Sequence, residues 1–262
     1  MMLTLGAWAQ PPIDGFSKGK GNLDLVGGLT FESFSKYFAH DGPVSINRAT
    51  TAFSIFAAAG ITDRLDAQIN IPVIYTKPDQ SGLQDLSIFL KYAWIKRSSD
   101  NHHFTLGTAL GFSTPMMDYP TQSLFAIGQQ ATSFDGRIYG QYRWPSGWFV
   151  MAQTGYTYRL DPVPSSTPAA LKIGLAKAKY YWDVWYDFQH AYGGNDYRDG
   201  NNASFRTFGV SYHKVGGTFY KPFSSGKSGV ALGAFFVISG RNIGQSIGVS
   251  GAYIYKIKYR KN

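Results

Sequence analysis

The sequence contains no cysteine, and this absence removes several classes of protein at once. Without Cys there is no disulfide framework, no thiolate metal site and no cysteine nucleophile. Charged residues make up only 16% of the 262 residues, compared with about 25% in typical soluble domains. No segment approaches the roughly 18 consecutive apolar residues that a membrane-spanning helix requires. A disulfide-rich scaffold and a helical membrane protein are therefore both excluded.

Aromatic residues and glycine are abundant instead. The chain has 16% aromatic residues and 30 glycines, with a net charge of +9 and a mean hydropathy of -0.18. Such a mean hydropathy is compatible with a transmembrane β-barrel, because half of the side chains of each strand face its interior. The positive charge indicates anionic surroundings, either nucleic acid or lipid head groups. The composition favours an all-β protein.

Apolar and polar residues alternate with a period of two along most of the chain. Successive strand side chains point to opposite faces, so this period predicts strands with one apolar face. The predicted strands are 22–37, 47–59, 65–76, 83–96, 103–113, 132–144, 148–159, 169–178, 180–191, 203–215, 228–238 and 246–260. Short and long connections alternate between them, as in outer-membrane barrels. Only the connection 216–227 is long where this scheme requires a short turn.

Charged residues in the eight clearest strands occur in one register only. The opposite, apolar register of these strands contains none, and a charge facing lipid at the bilayer midplane costs about 2–4 kcal/mol. The charged register holds Asp24, Glu32, Asp66, Lys91, Asp135, Arg137, Arg143, Arg159, Asp183, Asp187, Lys256 and Lys258. Arg206, in the apolar register of strand 203–215, departs from this rule and is tolerable only near the head groups. Pro72 lies within a predicted strand, so we expect a bulge or an early strand end there.

Alternation alone does not distinguish a membrane barrel from a soluble barrel with an apolar interior. The positions of the aromatic residues favour the membrane barrel. Trp94, Trp144 and Trp148 fall at one end of the strands, and Tyr75 and Tyr156 fall at the other. Two aromatic belts are typical of the two interfaces of a bilayer. The sequence therefore predicts an all-β fold, a closed antiparallel up-and-down transmembrane β-barrel of about 12 strands, in a bacterial outer membrane.

Several turn and strand-start motifs resemble a known family. They are GITDRLD at 60–66, SGLQDL at 81–86, GTALGFSTP at 107–115 and SGRNIG at 239–244. The chain resembles the bacterial outer-membrane barrel family labelled "putative meta-pathway of phenol degradation", whose transporter-like members are distantly similar to fatty-acid outer-membrane channels. The resemblance spans nearly the whole mature chain. It implies an exported barrel that passes small hydrophobic or aromatic molecules.

The N-terminus differs in character from the rest of the chain. Residues 1–9 read MMLTLGAWA, and an apolar run that ends in a small-x-small triplet is typical of a signal peptide. We interpret 1–9 as the remnant of a signal peptide and 10–20 as a short periplasmic N-terminal segment. About ten residues are too few for a folded plug domain. Residues 21–262 are expected to form a single β-barrel domain.

The polar register of such a barrel lines its lumen. The predicted pathway-lining residues are Glu32, Asp66, Lys91, Asp135, Arg137, Gln141, Arg143, Asp183, Asp187 and Gln189. The six acidic and six basic residues of the charged register balance, which argues against a strongly ion-selective pore. Alternatively, the same side chains fill the lumen with salt bridges. The predicted loops 114–131 and 192–202 are long enough to fold inward and close it.

These features predict a passive channel with no catalysis, cofactor or metal. The alternatives are a non-conducting structural or surface-binding barrel, a membrane-embedded lipid hydrolase and a soluble ligand-binding barrel. His190 is the candidate base of the hydrolase, but no nearby Ser and no orienting acid complete a triad with it. Lys and Arg are scattered, without a nucleic-acid-binding motif. The expected partners are the lipid bilayer, lipopolysaccharide, a small-molecule solute and the outer-membrane insertion machinery.

Overall fold

The computed structural model describes residues 11–39, 42–77, 80–119, 121, 126–197 and 204–259. The strands are β1 Asn22–Ala39, β2 Gly42–Gly60, β3 Leu65–Lys77, β4 Gln80–Leu83, β5 Asp85–Ser99, β6 His102–Pro115, β7 Ser133–Arg143, β8 Trp148–Arg159, β9 Ser166–Ala176, β10 Tyr181–Ala191, β11 Ser211–Pro222, β12 Ser228–Arg241, β13 Ile243–Gly244 and β14 Ile247–Lys258. A 3₁₀ turn covers Phe205–Thr207. Within the described ranges, no helix has the length and apolar character needed to cross a membrane.

The strands form one closed antiparallel ring. Each long strand pairs with the next long strand in the sequence, and β1 pairs with β2 on one side and with β14 on the other. The short β4 pairs with β3 beyond the end of β5, and the short β13 pairs with β1 beyond the end of β14. The ring therefore has twelve strands, as predicted. Closure gives the backbone groups of every strand edge a partner.

The two registers of the strands face opposite sides of the barrel wall. In the eight clearest strands, none of the side chains in the predicted apolar register is buried, and Leu110, Val184 and Ile247 are 66%, 57% and 60% exposed. Asp66 and Lys91, in the charged register, are each 1% exposed. The predicted orientation is confirmed: the apolar register forms the outer surface and the charged register is enclosed. Hydrocarbon outside the wall accounts for this split, since it solvates apolar side chains and not charges.

The two ends of the barrel differ in their connections. Residues 61–64, 100–101, 144–147, 177–180 and 223–227 form compact turns at one end, called here the short-turn end. The opposite end, called the long-loop end, carries the connections 116–132, 160–165 and 192–210. The predicted strands 22–37 and 47–59 were both too short at the long-loop end. The connection expected between them, 38–46, is mostly strand, because β1 extends to Ala39 and β2 starts at Gly42.

The predicted strand 203–215 was also wrong. Ser204 accepts a hydrogen bond from the backbone N–H of Arg206, which caps the 3₁₀ turn there, and β11 starts only at Ser211. Arg206 therefore lies in the connection between β10 and β11 and not on the lipid-facing side of a strand. β11 continues to Pro222, so the next connection is the short turn 223–227. The predicted long connection 216–227 therefore does not exist, and short and long connections alternate here as in the rest of the barrel.

Pro72 neither ends its strand nor bulges it. β3 runs from Leu65 to Lys77 through Pro72, which pairs with Ser54 of β2. The irregularity falls on the other side, where Gln84 separates β4 from β5 and donates its backbone N–H to the Pro72 carbonyl oxygen at 3.0 Å. Proline has no N–H to offer a neighbouring strand. The ladder is therefore interrupted in the partner of Pro72 and not in its own strand.

The chain before β1 enters the barrel, which corrects the interpretation of 10–20 as a periplasmic segment. Residues 11–18, called here the plug segment, have no regular secondary structure. Ile13 and Phe16 of this segment are 0% and 5% exposed, and Ile13 packs against inward-facing Tyr139 and Met151. The apolar side chains of the plug segment, which is not part of any strand, are therefore buried against the inner wall of the barrel. The predicted signal-peptide remnant 1–9 lies outside the described residues.

Candidate channel interior

A buried ion-pair network binds the plug segment to the wall. The Lys91 ammonium donates to the carbonyl oxygens of Phe16 and Asp14 at 2.6 and 3.2 Å and lies 3.2 Å from an Asp14 carboxylate oxygen. It also lies 3.4 Å from the carboxylate of Asp66. A buried charge is tolerated only when it is paired and hydrogen-bonded. Lys91 meets this condition through two carboxylates and two backbone carbonyls.

A second set of contacts holds the end of the plug segment. The Asp66 carboxylate accepts the backbone N–H of Lys18, with N···O distances of 3.0 and 3.2 Å. The Lys18 ammonium forms an ion pair with Asp24 of β1. Asp66 therefore links Lys91 of β5 with the plug segment. Strand alternation explains why both Asp66 and Lys91 point inward, and the β3–β5 register places them opposite each other.

Aromatic rings fill the lumen on the short-turn side of this network. The Phe16 ring packs edge-on against Phe149 of β8 and Tyr181 of β10, with centroid distances of 5.0 and 6.3 Å. The Tyr181 hydroxyl donates to Asp183, whose carboxylate lies 3.1 Å from the Lys172 ammonium. Offset and edge-on aromatic packing contributes beyond the buried area alone. Phe16 therefore acts as the apolar anchor of the plug segment.

One glycine allows the plug segment to approach the wall. A Cβ atom at Gly15 would lie 2.3 Å from the Cβ atom of Gln141, far inside a normal contact distance. Gln141 is itself 5% exposed. The predicted lumen residue Gln141 therefore contacts the plug segment, and only glycine fits at position 15.

Two adjoining cavities lie on the long-loop side of the plug segment. The larger has a volume of about 530 Å³ and the smaller of about 270 Å³. Pro12, Ser113, Ser133 and Arg159 line both cavities. Their walls combine charged side chains with apolar ones, among which Phe56 and Phe89 line the smaller cavity and Phe205 and Phe235 the larger. The interior is therefore amphipathic and not uniformly polar.

The long connections cover the larger cavity. Ile127 and Tyr119, between β6 and β7, pack against inward-facing Ala52 and Ile74. The Tyr119 hydroxyl donates to the Asp85 carboxylate at 2.7 Å. Burial of the phenol and the adjacent Asp85 charge raise the pKa of Tyr119, so this donor stays protonated. The described part of the 116–132 connection thus folds inward.

The 192–210 connection is tied down at its other end. Arg241 of β12 forms an ion pair with Asp196 and donates to the carbonyl oxygens of Gly193 and Gly194 at 3.0 and 2.8 Å. Phe205 and Phe208 of this connection pack with Tyr37 of β1. The described residues of both connections therefore narrow the long-loop end.

Two ion pairs neutralise acidic residues of the cavities. Asp135 accepts two hydrogen bonds from the Arg137 guanidinium, at 2.7 and 3.0 Å, and a third from Thr157 at 2.7 Å. The Asp187 carboxylate lies 3.6 Å from the Lys214 ammonium. Asp135 and Arg137 are successive inward positions of β7, and Asp187 of β10 lies directly opposite Lys214 of β11. The two pairs account for four of the charged side chains that line the interior.

Arg159, at the end of β8, has neutral partners instead. Its Nη1 donates to the Pro164 carbonyl oxygen at 3.0 Å and to the Ser166 hydroxyl at 2.7 Å. Its Nη2 lies 3.3 Å from the Gln189 amide oxygen, and the Gln189 amide nitrogen donates to the Val210 carbonyl oxygen at 2.9 Å. Arg159 is thus held in position by uncharged groups where the two cavities meet.

The predicted lumen residues separate into two levels. Asp66, Lys91, Gln141 and Asp183 surround the plug segment, and Arg143 lies at the short-turn end of β7. Glu32, Asp135, Arg137, Asp187 and Gln189 lie around the cavities. The prediction omitted Asp14 and Lys18, which precede the first strand and have no periodicity. It also omitted Lys172, although alternation in β9 would have identified it. Lys214 was missed because the predicted strand 203–215 placed it in the same register as Arg206, whereas β11 begins only at Ser211 and directs Lys214 inward.

His190, the candidate base of a lipid hydrolase, faces away from the interior of the barrel. His190 lies on the exposed face of β10, where its ring packs edge-on against Tyr192 at a centroid distance of 5.4 Å. Within the described ranges, no group of three or more His, Asp or Glu side chains is arranged to hold a metal ion. The larger cavity of the interior has a volume in the range of small-molecule sites.

Comparisons with known proteins agree with this architecture. A family profile described as "Putative MetA-pathway of phenol degradation" matches residues 14–250. An outer membrane channel from Pseudomonas putida F1 superposes with a TM-score of 0.72 at 14% identity, covering 98% of this chain and 100% of that chain. The KdgM porin superposes with a TM-score of 0.52 at 6% identity, covering 88% of this chain and 98% of that chain. No functionally curated protein matches the sequence.

Proposed function

Because the chain belongs to the family described as "Putative MetA-pathway of phenol degradation", we propose that it is a passive outer-membrane channel for small molecules. Its fold, a closed barrel with an apolar outer surface, supports the same proposal. An outer surface on which Leu110 and Leu232 are 66% and 62% exposed is stable only against hydrocarbon. Because the ring of strands is closed, a solute that crosses the membrane through this protein has to pass through the lumen.

The amphipathic cavity is the observation that carries this proposal. It lies inside the barrel between the long-loop end and the plug segment, and its volume of about 530 Å³ is in the range of small-molecule sites. A solute that enters at the long-loop end reaches Pro12 and the plug segment next. Passage to the short-turn end therefore requires the plug segment to move.

The same interior favours small solutes with an apolar part. Aromatic and polar side chains both line the cavities, so a hydrophobic or aromatic molecule finds apolar contacts as well as hydrogen-bond partners. We therefore propose that the solute moves through the barrel down its concentration gradient, without a covalent step.

Two further partners follow from an outer-membrane location. We propose that basic side chains near the strand ends, such as the exposed Lys36 near the long-loop end of β1, contact the phosphates of lipopolysaccharide, since cationic side chains are attracted to anionic lipid surfaces. We also propose that the outer-membrane insertion machinery delivers the barrel. Depletion of that machinery is expected to leave the protein outside the outer-membrane fraction.

Solute influx into liposomes tests the proposed function. Purified full-length protein reconstituted into liposomes is expected to accelerate swelling in small neutral solutes relative to protein-free liposomes. The rate should fall steeply as solute size increases, because the cavity is narrow. Liposomes that remain solute-tight at every size, although the protein is inserted and folded, would favour the non-conducting structural barrel instead.

A further inference from the structure

We propose that the two cavities form a binding site for a monocarboxylate with an apolar body, and that Arg159 binds its carboxylate. This inference rests on the proposed channel function and specifies the class of solute. It starts from the charges of the cavity walls. The charged side chains lining them are Glu32, Arg48, Asp85, Asp135, Arg137, Arg159, Asp187 and Lys214.

Most of these charges are already compensated. Asp135 is paired with Arg137, and Asp187 lies 3.6 Å from Lys214. Asp85 accepts the hydroxyl of Tyr119 at 2.7 Å. The carboxylates of Asp85, Asp135 and Asp187 are therefore already engaged, and none of them forms an ion pair with Arg159.

Arg159 differs from the other cations of the site. Among the described residues, no carboxylate lies within ion-pair distance of its guanidinium, and its partners are two carbonyl or amide oxygens and one hydroxyl. These bonds use Nη1 and Nη2, and the described structure shows no hydrogen bond from Nε. Arg159 lines both cavities. A guanidinium that is fixed by neutral groups and has an unused donor is suited to bind a carboxylate.

The surroundings of Arg159 determine what the carboxylate is attached to. Arg159 lines both cavities, together with Ser133, whose hydroxyl is a second donor. Phe56 and Phe89 line the smaller cavity, and Phe205 and Val210 the larger. A carboxylate at Arg159 therefore leaves an aliphatic or aromatic body in contact with apolar walls.

Equilibrium binding to the detergent-solubilised full-length protein tests this inference. The probes are 4-phenylbutyrate, its uncharged amide 4-phenylbutanamide, and acetate, each titrated calorimetrically against protein and against empty micelles. We expect the wild type to bind 4-phenylbutyrate about tenfold more tightly than the amide, as for one charge-assisted contact. Acetate is expected to bind more weakly than 4-phenylbutyrate, because it lacks the apolar body.

Three variants complete the test. Arg159→Gln should abolish the preference for the acid over the amide, whereas Arg159→Lys, which keeps the charge, should retain part of it. Arg97→Gln removes the same charge from an exposed site near the short-turn end and should leave the preference unchanged. Equal wild-type affinities for acid and amide, or a preference that survives Arg159→Gln, would overturn the inference.

The binding test is independent of transport. If the acid preference depends on Arg159 but the liposomes remain solute-tight, the binding site stands and the channel function fails. If solutes pass but acid and amide bind equally, the channel function stands and the carboxylate site fails.

Discussion

At the scale of single residues, the interior is organised by buried charges that have found partners. Lys91 is the clearest example, since its ammonium contacts Asp14, Asp66 and two carbonyl oxygens of the plug segment. Removal of one partner from a buried ion pair costs far more than the pair itself contributes, because it leaves the other charge without compensation. The plug segment is therefore sensitive to this one side chain.

Lys91→Met should destabilise the barrel and release the plug segment. It leaves the carboxylates of Asp14 and Asp66 buried without their cation, so the free energy of unfolding should fall by about 3–5 kcal/mol. Arg97→Met, which also removes a cation from the same strand but at an exposed position, is the control and should change it by less than about 0.5 kcal/mol. Urea denaturation in detergent measures both. Equal midpoints for the two variants would show that the network does not hold the plug segment.

Half of this network could be predicted from the sequence. Strict alternation in β3 and β5 is enough to place Asp66 and Lys91 on the enclosed face of the barrel wall. Their partner Asp14 lies 77 residues from Lys91 in the chain, in a segment without periodicity. No local pattern reports such a contact, because it depends on where the chain enters the barrel.

At the scale of elements, the plug segment and β11 are where sequence and structure differ. The plug segment has no regular structure and yet occupies the lumen, with Phe16 packed edge-on against Phe149 and Tyr181. In β11 the predicted strand started eight residues early, because the side chains of 204–208 are engaged in a 3₁₀ turn and aromatic contacts. Period-two counting does not detect such local competition.

Deletion of residues 11–18 should raise the single-channel conductance several-fold, because it removes the buried Ile13 and Phe16 from the lumen. Phe16→Ala is expected to produce a smaller increase. Phe223→Ala, in an exposed turn at the short-turn end, is the control and should have no effect. Planar-bilayer recordings at one salt concentration compare the three variants with the wild type. A deletion variant with unchanged conductance would mean that the plug segment does not obstruct the pathway.

At the scale of the whole molecule, the barrel turns its apolar surface outward. The fold class and the strand number were predictable from the period-two alternation. The orientation of the two faces was predictable only with a second signal, the aromatic residues at the two ends of the strands, because alternation alone also fits a soluble barrel. The inward folding of the long connections could not be predicted, because it depends on contacts between residues far apart in the sequence, such as that between Ile127 and Ile74.

Leu110→Arg tests the membrane-facing surface. Leu110 lies in the middle of β6 and is 66% exposed, so an arginine there should cost about 2–4 kcal/mol in a bilayer. Ile61→Arg, in a turn at the short-turn end, should cost less than about 1 kcal/mol, as expected near an interface. Unfolding from lipid vesicles measures the difference. Equal effects of the two substitutions would place the apolar register away from lipid.

The route of the solute can be tested directly because the chain has no cysteine. Ser133→Cys and Ile138→Cys introduce thiols on the same strand, one lining both cavities and one 54% exposed on the outer surface. Single-channel current is recorded while a charged, water-soluble methanethiosulfonate reagent is added. We expect the reagent to reduce the current through Ser133→Cys and to leave Ile138→Cys unaffected. Block at Ile138→Cys without block at Ser133→Cys would contradict conduction through the barrel interior.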